Sequence, residues 1–424
     1  MRLITAAYLV PITQSIIPEG GMVVDGERIL AVGDAASLKR TYPAATVEAH
    51  PGAFLLPGLI NAHCHLDLTG FPRQTFDQRS SYSRFLLDVY RYKREVPKQF
   101  IREAVSRGLE EAIDAGTTCL GDMGSFPASI AMLKEAGIRA VVFPEIAGFA
   151  SEAGQDLYQT ALALVEDMQE SPSDLISVGL GPYAPFALSR QLLKIVAHHA
   201  RGVTLPVTIH AAETFSEMEF FFDSKGDFAD NLFPSIGWGE ALPFPHLRTP
   251  IQYLAGIDFL AVKPIVANPV HLGASDIELL AASGSKVVYC PRNNQYFLEG
   301  VTPIRACLAA GIPVGLGTES HASVETLSLW DEMRACYGAH QASSSPLSAQ
   351  DVLMMATLGG ARVLGLEERV GSLEPGKDAD YSLVSLPPEC LPLDPKPETV
   401  ADALIRHANA GAVKQVVVRG KKLK

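Results

Sequence analysis

Two histidines one residue apart, His63 and His65, close the stretch Pro57-Gly58-Leu59-Ile60-Asn61-Ala62-His63-Cys64-His65-Leu66-Asp67. The apolar run Ala53 to Leu56, the Pro-Gly break and Leu59-Ile60 read as a buried strand ending at the histidines. Side chains alternate across a strand, so His63 and His65 project one way and Cys64 the other. Paired imidazoles at a strand end, where parallel strands open into a cleft, can grip a metal ion. The same spacing also arises as paired polar histidines in a loop. Farther on, His210 ends the apolar run Val207-Thr208-Ile209, and Glu213 follows three residues later. A histidine and a carboxylate so placed serve either structure or proton transfer.

These residues need a scaffold, and the chain alternates short strands with helical patterns. Phe100 to Ala115 has helical periodicity and stops at Gly116, and Thr117 to Asp122 then reads as strand. Ala131 to Ala136 and Arg190 to Ala200 are helical. Strands are expected at Ala140 to Phe143, Leu175 to Leu180, Pro206 to His210, Ile265 to Val270, Lys286 to Cys290 and Pro313 to Leu316. With the histidine strand this makes eight, the count of a closed (β/α) barrel. The segment Phe220 to Thr249, rich in Phe, Pro, Gly and Trp, breaks the rhythm and reads as an ordered lid. Both chain ends are β-rich: Met1 to Val10, a hairpin around Asp25-Gly26, then Tyr381 to Val384 and Val413 to Val418. They read as one small β domain completed across the chain, with Pro387 to Pro397 a surface linker.

A chain of 424 residues with 47% hydrophobic and 19% charged residues suits a barrel plus an accessory domain. A net charge of -12 argues against a binder of nucleic-acid backbones and leaves small-molecule substrates open. The six cysteines are scattered and suit a reducing compartment rather than a disulfide framework. Pro11 cuts the first apolar run too short for an export signal, and no stretch reaches the length of a membrane span. The expected location is cytoplasmic, with no membrane partner.

The context of His63 and His65, after Pro57-Gly58-Leu59-Ile60-Asn61-Ala62, resembles the first barrel strand of the amidohydrolase superfamily. His210-Ala211-Ala212-Glu213 resembles the fifth-strand signature of its aminohydrolase branch. Val287 to Asn294 and Val314 to Ser323 match the seventh and eighth strands. With Gly179 to Phe186, the chain looks most like the aminofutalosine and S-adenosylhomocysteine deaminase group, in a branch that also contains halide-displacing, chlorohydrolase-type members. The hairpin and the stretches Gly371 to Asp380 and Val413 to Gly420 resemble the split β-sandwich that flanks such barrels. The resemblance implies a distorted (β/α)8 TIM barrel over 53–365, with a small β-sandwich built from 1–52 and 366–424. It implies one Zn²⁺, or Fe²⁺, per chain held by His63, His65, His210 and Glu319, with Glu213 shuttling protons. A homodimer is common in the superfamily, although no residue pattern marks an interface.

Three positions depart from the superfamily pattern. The last ligand, usually Asp, is Glu319, whose extra methylene moves the carboxylate by about 1.5 Å. Metal–oxygen bonds tolerate only about 0.2 Å, so a backbone shift or a water bridge is expected. The sixth-strand histidine that orients and deprotonates water is Asn268, which cannot carry a proton at neutral pH. A histidine expected to contact substrate is Tyr183. His271, three residues past Asn268, and His321, two past Glu319, are candidate substitutes, His271 also for contacting substrate. The catalytic group is therefore read as Glu213, Asn268 and Glu319. The activity expected is hydrolysis of a C–N bond on a heteroaromatic amine, such as deamination of an adenine nucleoside like aminofutalosine. The rival readings are a catalytically impaired relative that binds a purine-like ligand, and a hydrolase that displaces another leaving group.

Overall fold

The computed structural model describes residues 1–77, 80–124, 128–147, 151–170, 172–236, 242–342, 345–392 and 394–424. The chain opens with four strands: β1 (Arg2–Leu9), β2 (Ile17–Asp25), β3 (Arg28–Asp34) and β4 (Thr46–Pro57). The expected hairpin joins β2 to β3 with Asp25 opposite Arg28, and Gly26 takes a φ of 56° in its turn. Three strands from the other chain end, β14 (Tyr381–Ser385), β15 (Val413–Val418) and β16 (Lys421–Lys422), complete one sheet in the order β16-β15-β14-β4-β1-β2-β3. The two ends therefore build the expected small β domain together. The run Ala53 to Pro57 belongs to it: these residues pair antiparallel with Ser385 to Tyr381 in β14. Its side chains are apolar because both faces of β4 are covered there, and the first barrel strand begins only after Gly58.

The barrel strands are β5 (Leu59–Cys64), β6 (Thr117–Gly124), β7 (Arg139–Ile146), β8 (Ile176–Val178) with its short continuation β9 (Gly181–Pro182), β10 (Thr208–His210), β11 (Ile265–Ala267), β12 (Lys286–Tyr289) and β13 (Val314–Leu316). They form two parallel arcs, β5-β6-β7-β8 and β10-β11-β12-β13. The arcs meet at two short parallel pairings, Leu180 with Val207 and Cys64 with Glu319. Strands buried on both sides need continuous apolar runs, which Ile265-Val266-Ala267 and Lys286 to Tyr289 nearly supply. Helices between strands, such as Lys98–Asp114 and Arg190–Val203, bury their apolar stripes against the outside.

The seam between the first and last barrel strands is tight. The Thr318 amide donates to the His63 carbonyl at 3.0 Å, and the His65 amide donates to the Glu319 carbonyl at 3.1 Å. Asn61 and Thr318 exchange two hydrogen bonds, Asn61 Nδ2 to Thr318 Oγ1 at 2.8 Å and Thr318 N to Asn61 Oδ1 at 3.1 Å. Gly317 has to be glycine: a Cβ there would lie 2.7 Å from the His63 carbonyl oxygen and 2.8 Å from Val288 Cγ1.

The segment expected to be a lid is helical over Phe215–Asp223 and Phe228–Leu232, while residues 237–241 lie outside the described residues. Phe220, Phe221, Phe228 and Phe233 are buried. Asp227 anchors the start of a neighbouring helix, Tyr82–Glu95, accepting from Ser81 Oγ at 2.7 Å and from the Ser83 amide at 2.9 Å.

One buried ionic cluster ties the barrel to the small β domain. Arg139, at the start of β7, donates to Asp378 at 2.7 Å and to Asp380 at 2.9 Å, all three side chains being almost inaccessible. Arg139→Met leaves Asp380 buried without its cation, a change that costs about 3–5 kcal/mol where the geometry is closed to water. The expected result is a lower urea midpoint, with much of the loss recovered in the Arg139→Met/Asp380→Asn double variant. A single variant within about 1 kcal/mol of wild type would show that the cluster is not a lock.

Candidate metal centre and active site

His63, His65, His210 and Glu319 come from three strand ends that sequence separates by up to 256 positions, yet one potential ligand atom from each lies within 4.8 Å of the others. His63 Nε2 is 2.8 Å from Glu319 Oε2, and His65 Nε2 is 3.2 Å from Glu319 Oε1. The imidazole rings of His63 and His210 are 4.8 Å apart, centroid to centroid. All three histidines are buried. His63 Nε2 and both ring nitrogens of His210 lack a well-formed hydrogen bond among the described residues. Buried imidazole nitrogens that converge without hydrogen bonds fit a shared ion, and three imidazoles with one carboxylate are a donor set for Zn²⁺ or Fe²⁺.

The electrostatics agree with that fit. Burial lowers the His63 pKa to about 4, against the pull of Glu319, so the ring is neutral and free to ligate. Burial acts the same way on His210, but the charges of Glu213 and Glu319 more than offset it and raise that pKa to about 9. Burial alone would raise the Glu319 carboxyl, yet His63, His65 and His210 around it hold it well below the usual carboxylate range. A divalent cation satisfies the same carboxylates that otherwise retain a proton on His210.

Glu319 has a left-handed backbone conformation, φ 60°. Ala212, just before Glu213, and Asn268 share it, at φ 56° and 55°. Such conformations cost roughly 1–3 kcal/mol in a non-glycine residue and persist where surroundings over-determine them. Asparagine tolerates this region better than most residues. At Asn268 the amide donates to Val288 O at 2.8 Å, Oδ1 accepts from the Cys290 amide at 3.3 Å, and Nδ2 donates to Glu213 Oε1 at 2.9 Å.

Glu213 is the most constrained group in the site. Its Oε1 accepts from Asn268 and also from Asn293 Nδ2 at 2.9 Å. Its Oε2 accepts from the Tyr82 hydroxyl at 3.2 Å and lies 3.2 Å from His210 Nδ1. Beneath it, the Glu213 amide donates to Glu217, whose carboxyl burial pushes up to about 8.

A cavity of about 30 Å³ sits over these groups, lined among others by His65, Tyr183, Glu213, Asn293 and Glu319. Its roof is one face of the helix Tyr82–Glu95: Tyr82, Phe85, Val89 and Lys93, at spacings of three and four residues. Lys93 closes the far end, bonding Glu145 at 2.5 Å with Asp67 at 3.8 Å. Burial would lower the Lys93 pKa, and these two carboxylates turn the net shift upward. Phe85 separates this cavity from a second one of about 400 Å³, lined by Phe71, Arg84, Asp88 and Tyr296 among others.

Of the residues singled out from sequence, His63, His65, His210, Glu213, Asn268 and Glu319 meet in this site, and Tyr183 lines the cavity with its ring 5.2 Å from that of His210. His271 does not join them: its Nε2 is 2.8 Å from Glu299 Oε2, beside the exposed Phe215. His321 likewise faces Glu111, at 2.8 Å, rather than the metal ligands. Each histidine is drawn to an acidic residue that only the folded chain brings near. Tyr82, Lys93 and Glu145 were not anticipated. The apolar spacing Tyr82, Phe85, Leu86, Val89 was the available signal for a helix with one buried face. Asn293 stood in the seventh-strand motif without a role.

The profile of the amidohydrolase family matches residues 54–423, and a bacterial imidazolonepropionase-like composite domain matches residues 20–45. The 5-methylthioadenosine/S-adenosylhomocysteine deaminase of Moorella thermoacetica is 30% identical over 424 residues, covering 99% of this chain and 93% of that protein. The aminodeoxyfutalosine deaminase of Deinococcus radiodurans is 30% identical over 82% of this chain and 81% of its own. A zinc-bound adenosine deaminase structure from Xanthomonas campestris superposes with a TM-score of 0.85 at 26% identity, covering 99% of this chain and 92% of that one. The chain belongs to the amidohydrolase family. No helix among the described residues is long and apolar enough to cross a membrane.

Elemental analysis of protein purified without chelators or added metal is expected to find about one zinc or iron per chain. His65→Ala, which removes one of the converging nitrogens, is expected to bring that figure close to zero. A metal-free wild type that also refuses added zinc would contradict the assignment of the four ligands.

Proposed function

We propose that this chain is a metal-dependent aminohydrolase that replaces the exocyclic amine of an adenine nucleoside by oxygen, with aminofutalosine and 5-methylthioadenosine as the nearest candidates. The observation that carries this reading is the setting of Glu213, a buried carboxylate beside His210 with one oxygen fixed by two amides and the other facing the cavity groups. The curated relatives that match over most of the chain support it. His63, His65, His210 and Glu319 are assigned as ligands of one Zn²⁺, with Fe²⁺ the alternative. An ion there would supply Lewis acidity and water acidified towards neutral pH.

The protein groups divide the remaining work. Glu213 Oε2 takes one proton from the attacking water and delivers it to the ring nitrogen, then passes the remaining hydroxyl proton to the departing amine. The net change is addition of water and loss of ammonia, with the C–N electron pair leaving on nitrogen. Asn268 cannot relay a proton, and its bond to Glu213 Oε1 gives it a positioning task instead. Glu319, between His63 and His65, stays ionised and serves as the anionic member of the ligand set. Tyr183 offers its ring to the substrate from the cavity wall. The roof helix must shift to admit a nucleoside, since occupied small-molecule sites usually enclose about 300–1,000 Å³.

Glu213→Gln preserves size and removes the proton carrier. Ammonia release from 5-methylthioadenosine, S-adenosylhomocysteine or aminodeoxyfutalosine is expected to fall by about 10²–10⁴-fold, with metal content unchanged. A variant that keeps the wild-type rate would overturn the mechanism.

A further inference from the structure

Asn293 carries more than the position of Glu213. Its Nδ2 donates to Glu213 Oε1 at 2.9 Å, and because an ionised carboxylate only accepts, the amide can face it in one orientation only. The carbonyl Oδ1 is therefore the end turned away from Glu213. Asn293 is 1% exposed, and this Oδ1 is buried without a hydrogen-bond partner among the described residues. The residue lies in the wall of the cavity with His65, Tyr183 and Glu319. The second amide on the same carboxylate, Asn268, has both ends in use, its Oδ1 accepting from the Cys290 amide. Buried acceptors in folded proteins are paired as a rule, so an unpaired one on a residue of the cavity wall is a candidate partner for a ligand donor.

We propose that Asn293 Oδ1 accepts a hydrogen bond from the exocyclic amine of the substrate and so selects amines as leaving groups. The proposal rests on the aminohydrolase reading and deepens it. Glu213 protonates a ring nitrogen, and the amine on the adjacent ring carbon then lies one bond farther from the same carboxylate, within the reach of its amide neighbour. As water adds to that carbon, the amine becomes basic and takes a proton from Glu213. The C–N bond breaks with its electron pair on nitrogen, and neutral ammonia leaves. The N–H donors strengthen as positive charge develops, so the contact with Oδ1 is worth more in the transition state than in the ground state. A chloride or thioether at the same carbon brings no N–H and turns lone pairs towards Oδ1. A site that holds a buried acceptor for an N–H rejects analogues without one.

The test compares adenosine with 6-chloropurine riboside on wild type, Asn293→Ala, Asn293→Ser and Asn268→Ala. Binding is measured by calorimetry on metal-stripped protein, and kcat/KM on the zinc-loaded enzyme. Asn268→Ala removes a clamp on Glu213 and is expected to slow both nucleosides equally. Asn293→Ala removes the clamp and the acceptor, and the amino-to-chloro ratio is expected to fall about tenfold further in binding and by more than that in kcat/KM. Asn293→Ser, the smaller perturbation, serves if the alanine variant does not fold, with a drop in the ratio again expected. Equal ratios in the Asn293 and Asn268 variants would overturn the proposal, as would a metal-stripped wild type that binds both nucleosides equally. A wild type that binds the amine preferentially through Asn293 yet turns over neither nucleoside would uphold the contact and reject the aminohydrolase reading.

Discussion

The parallel pairing of Cys64 with Glu319 is the contact on which the molecule depends. It joins the first and last barrel strands, and the residues at this seam supply backbone bonds to each other and side chains to the converging group. His63 gives its carbonyl to Thr318 and its ring to the site, while Glu319 gives its carbonyl to His65 and its carboxylate to both rings. Ring closure and ligand convergence are thus one event. The absence of a side chain at Gly317 and the paired Asn61–Thr318 hydrogen bonds let the backbones come this close. A substitution at this seam is expected to act on stability and on the proposed metal site together, although only some of its residues are candidate ligands.

A second constraint is the number of buried carboxylates near one point. Glu213 and Glu319 line the small cavity, Asp67 and Glu145 lie behind its Lys93, and Asp122 lies close to Asp67, so unscreened repulsion among them would be costly. The structure distributes the cost. Lys93 neutralises part of Asp67 and Glu145, burial with the charge of Asp67 lifts the Asp122 carboxyl to about 7, and the cation position faces Glu319. Glu213 is satisfied by neutral donors from Asn268, Asn293 and Tyr82. In that setting Asn268 reads as a structural member of the network, with both ends of its side-chain amide in use. Its tolerance of a positive φ allows it to turn at the strand end and still reach Glu213.

Much of this was legible in sequence because strand periodicity and local spacing are short-range. His63 and His65 sit on one strand end, and His210 with Glu213 on another, so their mutual geometry follows from period two and a three-residue turn. The eight-strand count and the joint β domain were readable for the same reason. What escaped are contacts closed by the fold. Tyr82 reaches Glu213 across 131 residues and Lys93 reaches Glu145 across 52, both from a helix whose buried face gave no hint of its partner. Glu299 and Glu111 occupy His271 and His321 in the same long-range way. The run from Ala53 to Leu56 reads as barrel core because an apolar strand looks alike in either sheet; only its partner β14, some 330 residues later, assigns it to the small β domain.

Arg139 has a consequence for the order in which the chain can mature on the ribosome. It lies at the start of the third barrel strand, whereas Asp378 and Asp380, which neutralise it, come about 240 residues later. A nascent barrel that packs early buries a guanidinium with no counter-charge, an arrangement that disfavours premature compaction of that end. Glu319 imposes the same delay at the opposite end of the strands, since the candidate ligand group lacks its carboxylate until the eighth strand emerges. Vectorial synthesis therefore leaves the early strands waiting with apolar surface exposed, the circumstance in which nascent chains rely on chaperones. Consolidation of that end waits for Asp378 and Asp380.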